Sequence, residues 1–269
     1  MKEIIVRFLS GALYVAIIFF TLFTSREWFI GLLFLLALLT LNEFLRIVNL
    51  KGFIAYFLLA LAFYFISFQY KDISFYIPLS LLAITIIVNI FLFKDVILFN
   101  KLSLFKKRRY FCIIFYIISG FVFLSLIPSI GNNFEPKIIL GIFILAWSND
   151  TFAYLIGKQF GKRKLMEKIS PKKTVEGFLG GMGGALIASF FIYKFTETLN
   201  LPIWLVIATL VSSLGTTGDL IQSKFKRLAG VKDSGKIMPG HGGIYDRLDS
   251  IIYASPFIYL FLIVVDYVS

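Results

Sequence analysis

The chain has 269 residues, of which 59% are hydrophobic, 18% aromatic and only 16% charged, with a mean hydropathy of +0.88. An average soluble domain carries roughly 25% charged residues, so this composition excludes an ordinary soluble fold and places the chain in lipid. The net charge of +12 does not indicate nucleic acid, because the basic residues flank apolar runs and no nucleic-acid-reading motif lies among them; anionic membrane lipids account for most of the excess.

Lys2 and Arg7 precede an apolar stretch in the manner of a secretory signal. Thr24, Ser25, Arg26 and Glu27 offer no small-residue cleavage site, however, so a retained first helix is expected. Windows apolar enough to cross a hydrocarbon core lie at 8–24, 28–45, 53–70, 73–93, 110–130, 138–156, 177–193, 201–218 and 251–265. The expectation is an all-α, polytopic integral membrane protein of about nine transmembrane helices. Cys112 is the lone cysteine, so no intrachain disulfide and no cysteine-based zinc site can form. Lys and Arg collect in cytoplasmic loops. With this threading, 23 of the 27 basic residues fall on one side, leaving Arg26, Lys71, Lys137 and Lys194 on the other. That split predicts a cytoplasmic N-terminus and an outside C-terminus.

Residues 1–130 read as scaffold helices. Glu43 is the main intramembrane charge there, and a pair with nearby Arg46 is the simplest expectation. The basic run Lys106, Lys107, Arg108 and Arg109 reads as a leaflet anchor without a catalytic role. Residues 131–269 differ in character and form the expected catalytic region, with cytoplasmic loops at 157–176 and 219–250. Asn149 and Asp150 place polar groups in the sixth span, where an ionisable side chain is costly and marks function unless it lies near the helix end and is solvated.

Ser170, Pro171, Lys172, Lys173 and Thr174 precede the seventh span, so hydroxyls, ammonium groups and helix N-terminal amides suit an anion there. No phosphate-binding loop of Walker type is present. Gly177 with Gly181 and Gly180 with Gly184 form two small-xxx-small pairs, which favour close helix packing over a phosphate loop. Between the eighth and ninth spans come Asp219, Ser223, Lys226, Arg227, Lys232, Asp233, His241, Gly242, Gly243, Asp246, Arg247 and Asp249. Asp246 and Asp249 share one face if that segment is helical. Three carboxylates among cations fit a divalent ion bridging substrate phosphates, or else salt bridges to Lys226, Arg227 and Arg247. Glycines beside His241 would let backbone amides approach an anion.

The runs Ser223-Lys224-Phe225-Lys226-Arg227, Lys232-Asp233-Ser234-Gly235, Pro239-Gly240-His241-Gly242-Gly243 and Asp246-Arg247-Leu248-Asp249-Ser250 resemble the signature of phosphatidate cytidylyltransferases, the CDP-diacylglycerol synthases. Asp150-Thr151 with Ala153-Tyr154, and Ser170 to Thr174 with Glu176-Gly177, resemble other shared stretches of that family. Val175 stands where an aromatic residue is expected, and Gln222 where glutamate is common. The resemblance implies transfer of the cytidylyl group of CTP to phosphatidate, with Mg²⁺, a second cation left open, and often a homodimer. The implied location is a bacterial inner membrane with the site facing the cytoplasm.

The resemblance also implies metal ligands at Asp219, Asp246 and Asp249, and catalytic roles for Asp219, Asp246, Lys226 and Arg227. Substrate contacts are expected at Asn149, Asp150, Ser170, Lys172, Lys173, Thr174, Ser223, Lys232, Asp233, His241, Gly242, Gly243 and Arg247. A phosphate monoester has a second pKa near 6, so phosphatidate arrives largely as a dianion and needs no dedicated general base. A CTP-dependent lipid kinase would use similar groups. A cation-coupled transporter fits less well, since no internal repeat is visible. The CDP-alcohol phosphotransferases are disfavoured by the absence of their D-G-x-x-A-R segment.

Overall fold

The computed structural model describes residues 2–71, 73–98, 109–131, 133–240 and 242–268. Lys101, Lys106, Lys107, Arg108 and His241 therefore lie outside the described residues. The protein is a helical membrane protein. Its elements in chain order are α1 (Lys2–Thr24), α2 (Arg26–Ile47), α3 (Phe53–Phe68), α4 (Tyr76–Val96), α5 (Arg109–Ser129), α6 (Pro136–Phe160), β1 (Lys164–Met166), β2 (Ser170–Thr174), α7 (Val175–Thr196), α8 (Leu201–Leu228) and α9 (Tyr245–Val268). Seven of these helices are long and apolar enough to cross a membrane; the apolar segments Leu9–Thr24 and Phe53–Phe68 are shorter. Each expected window thus falls on a helix.

Helix starts follow local chemistry. Ser25 caps α2 by accepting from the Trp28 amide, at 3.3 Å. Proline stands in the first turns of α6 and α8, where its missing N–H leaves no bond unmade. Pro256 lies inside α9 and removes a donor to the Ile252 carbonyl. Ser255 Oγ lies 3.2 Å from that oxygen and 2.6 Å from the Gly120 carbonyl. Gly120 is needed there, since a Cβ would overlap Ile252 across the α5–α9 contact.

One buried apolar core runs through both halves of the chain. Within that core, Phe44 of α2, Tyr116 of α5, Phe225 of α8, and Tyr245 and Tyr253 of α9 form edge-to-face and stacked pairs at 5.1 to 6.5 Å between centroids. The Tyr245 hydroxyl donates to that of Tyr116 at 3.0 Å. Large apolar side chains on the outside, such as Phe20, Ile87, Phe190 and Phe191, face outward. In lipid these surfaces carry no aggregation penalty.

Two expectations change here. The eighth helix does not stop at 218 but continues to Leu228, so Asp219, Ser223, Lys226 and Arg227 are helical and the connecting loop is only 229–244. Leu220, Ile221 and Phe225 bury an apolar face over that extension, which is why the helix persists beyond the last purely apolar window. The expected loop 157–176 is also largely structured: α6 runs on to Phe160, and β1 pairs antiparallel with β2.

Candidate active site

Helix α7 packs against α6 through its small residues. A Cβ on Gly181 would lie 2.8 Å from the Asn149 carbonyl, and one on Gly177 would lie 2.9 Å from that of Ala153. Gly180 and Gly184 face Ile156 and Phe152 in the same way, and Ser148 Oγ donates to the Gly184 carbonyl at 3.2 Å. The small-xxx-small pairs therefore do serve helix contact. Thr174, the last residue of β2, caps α7 by accepting from the Gly177 amide at 3.1 Å. Glu176 accepts from the Lys162 and Arg163 amides, at 2.9 and 3.1 Å, which ties the base of the hairpin to the first turn of α7. Lys172 and Lys173 are thereby carried to the end of the helices where α8 and α9 present their acids.

The groups converge on a cleft of about 710 Å³. Asn149 and Asp150 come from α6, Lys172, Lys173 and Thr174 from β2, Asp219 and Lys226 from α8, Asp233 from the loop, and Asp246, Arg247 and Asp249 from α9. Lys158, Tyr154, Leu165, Phe178, Thr216, Gln222 and Ser250 complete much of the lining and are not among the expected site residues. Five aspartates thus face five basic residues. A balanced set of this kind suits a cation and a polyphosphate together better than either alone.

The aspartates are not equivalent. Asp219 pairs with Lys173, and Ser223 Oγ donates to its Oδ1 at 3.3 Å. Asp246 pairs with Lys226 at 2.7 Å, and its Oδ1 also accepts from Gln222 Nε2 at 3.0 Å. Its Oδ2 accepts from the Ser234 amide at 2.9 Å and the Gly243 amide at 3.0 Å, and lies 3.0 Å from Ser234 Oγ, whose single proton points to the nearer carboxylate of Glu43. These four donors, from Lys226, Gln222 and the Ser234 and Gly243 amides, fill the roughly four acceptor sites of a carboxylate, so Asp246 could bind a metal only by giving some of them up. Gln222, the departure noted in the sequence, matters here. Its amide donates to Asp246, which an ionised glutamate could not do. Asp249 is buried and accepts from the following Ser250 amide at 2.8 Å. Among the described residues no group of three or more acidic, histidine or cysteine side chains is arranged as a metal cage.

Several expected residues lie apart from the cleft lining. Ser170 sits at the far end of β2, paired with Met166. Lys232 is exposed. Arg227 is exposed too, and its guanidinium donates to the Val231 carbonyl at 3.4 Å near the end of α8. Gly242 has a φ of +89° and forms a two-way backbone bridge with Met238, at 2.9 and 3.1 Å. His241 lies outside the described residues.

Glu43 does not pair with Arg46, which is exposed. It is buried and reaches the loop instead, accepting from Ser234 Oγ at 2.6 Å and from the Ile244 and Tyr245 amides at 3.0 Å each. Sequence separation hid this contact. The available signal was that a lone carboxylate in a buried stretch of α2 needs donors from somewhere.

The chain matches the family model described as "Cytidylyltransferase family" over residues 5–265. It is 45% identical over 157 residues to the phosphatidate cytidylyltransferase of Staphylococcus aureus (strain COL). The corresponding proteins of Staphylococcus saprophyticus and Staphylococcus epidermidis are 44% and 41% identical over the same length. The matched segment makes up 57% of this chain and 58% of the relatives' length.

Proposed function

The chain belongs to the cytidylyltransferase family, and from that premise we propose that it transfers the cytidylyl group of CTP to phosphatidate, forming CDP-diacylglycerol and pyrophosphate. The observation that carries this reading is the meeting of five aspartates and five basic residues in one cleft between α6, β2, α8 and α9. In the reaction, a phosphate oxygen of phosphatidate attacks the α-phosphorus of CTP. A new P–O bond forms as the bond from that phosphorus to the α,β-bridging oxygen breaks, and pyrophosphate leaves with the electron pair. The attacking phosphate is already ionised, so the site's work is alignment and charge neutralisation.

Lys172, Lys173, Lys226 and Arg247 are the cleft cations suited to phosphate oxygens. Lys173 stands beside Asp219, where it can exchange its carboxylate partner for a substrate phosphate. Lys226 is held by Asp246, so its ammonium keeps one orientation. Arg227 is the weaker candidate, given its contact with Val231.

Mg²⁺ belongs to this reading, with Asp219 and Asp249 as its holders and Asp246 as the carboxylate that organises their surroundings. Support comes from Gly218, where a Cβ would lie 2.6 Å from the Asp249 carbonyl, so that the two acid-bearing turns are in close contact. Asn149 Oδ1 and Gln222 Oε1 add buried acceptors with no protein donor among the described residues, and hard oxygen donors suit this ion. When bound, the metal neutralises charge on the triphosphate and on the departing pyrophosphate.

The nine helices cross the membrane nine times in this reading, α1 and α3 included. The N-terminus and the cleft then face the cytoplasm of a bacterial inner membrane. The 23-to-4 split of Lys and Arg supports that threading. A homodimer surrounded by membrane lipid, as the resemblance implies, completes it.

Mass analysis of the lipid product from purified protein, CTP, Mg²⁺ and phosphatidate tests the reaction. CDP-diacylglycerol with pyrophosphate is expected. A phosphorylated lipid with CDP would instead establish a lipid kinase.

A further inference from the structure

We infer that Glu43, on the second helix and outside the reacting centre, is a positioning residue that sets the entry of α9 and, through Ser234, the placement of Asp246. Its side chain is 1% exposed, and a buried carboxylate persists only when donors surround it. Those donors come from residues 191 to 202 positions away in the chain. The Ile244 and Tyr245 amides belong to the opening of α9, where N–H groups lack acceptors within the helix and the helix dipole favours negative charge. A carboxylate from α2 therefore acts as the remote cap of α9, whose first two turns carry Asp246, Arg247 and Asp249.

Ser234 makes the second connection. Its Oγ lies 2.6 Å from Glu43 Oε2 and 3.0 Å from Asp246 Oδ2. The single hydroxyl proton goes to the nearer Glu43 while the Ser234 amide donates to Asp246 Oδ2 at 2.9 Å, so one residue ties the two carboxylates together. Asp246 in turn holds Lys226. The linkage runs from α2 through the loop to a cation of the cleft.

Two glycines allow the loop to close on Glu43. A Cβ on Gly235 would overlap Glu43 Oε1, and one on Gly243 would overlap both Ser234 Oγ and Glu43 Oε2. Gly243 therefore permits a close approach to this clamp that no larger residue would allow.

Only the kinetic arm of the test rests on the cytidylyl-transfer reading. Glu43→Gln keeps the shape, but its amide turns an NH₂ toward one of the donors that the carboxylate accepts from. Amide hydrogen exchange should quicken at Ser234 and at residues 244–246, with the α6–α7 contact as protected as before. Turnover should fall about tenfold or more while KM for CTP changes less than about threefold, as expected when reacting groups are misplaced rather than lost. Ser234→Ala breaks the link without touching α2 and keeps the test open should the Glu43 variant fail to fold. In that background Glu43→Gln should have a smaller effect than it has alone, since the two act through one linkage. Turnover within twofold of the unaltered protein, unchanged exchange at 244–246, or fully multiplicative effects would each overturn the inference. If the unaltered protein makes no cytidylylated lipid, the function reading fails on its own, and the exchange pattern decides the clamp.

Discussion

At the scale of single residues, the cleft separates acids by what already holds them. Asp219 shares a partly exposed pair with Lys173, their side chains being 34% and 29% exposed, whereas Asp246 and Lys226 are 8% and 11% exposed. Asp219→Asn should abolish Mg²⁺-dependent turnover and change stability by no more than about 1 kcal/mol, because a half-open pair is largely screened. Asp246→Asn should also lower turnover, but here the fold suffers: a buried lysine loses its partner, at a cost of about 3 to 5 kcal/mol. Thermal unfolding in one detergent, beside the activity assay, checks both. Equal stability losses in the two variants would contradict the distinction. The sequence made both aspartates visible as acids among cations, but not this difference. Which carboxylate is saturated depends on Ser234 and Gly243 amides placed by a loop whose closure depends on Glu43.

At the scale of elements, the glycines of α7 were legible because their spacing is local and helical. Gly181 and Gly183 make the point testable within one helix. A Cβ at 181 meets Asn149 and Ala153 within 3.0 Å, while one at 183 meets nothing within 4 Å. Gly181→Ala should cost about 1 to 3 kcal/mol through overpacking. Gly183→Ala should be neutral or stabilising by up to about 1 kcal/mol, given alanine's higher helix propensity. Thermal midpoints of the two variants in the same detergent give the comparison, and equal midpoints would contradict the packing account. The extension of α8 to Leu228 was less legible, since Asp219, Gln222, Ser223 and Lys226 break the apolar run. A hydropathy window registers mean composition, whereas the helix continues on one buried face. The β1–β2 hairpin was hidden for a related reason: its basic segments show no clear apolar alternation, and Glu176 helps hold it from outside.

At the scale of the whole molecule, the N-terminal helices are more than the scaffold that their composition suggests. Phe44 packs against Phe225 and Tyr245, the chain neighbours of the cleft residues Lys226 and Asp246, and Glu43 beside it caps α9. The site is thus legible as a set of residues in the C-terminal half, but its support is a long-range property of the assembled bundle. In the proposed threading, 23 of 27 basic residues belong to one side, and that split is the ground for placing the cleft on the cytoplasmic face. The central consequence of the proposed function and threading together is that CTP, which does not cross a bilayer, reaches the protein from the cytoplasm. Sealed vesicles of known sidedness, containing the protein and phosphatidate, test this with CTP labelled at the α-phosphorus and added outside. Label should enter the lipid when the cytoplasmic face is outward and stay in water when it is inward; label entering lipid only in the second orientation, or entering from the γ-phosphorus, would contradict the account.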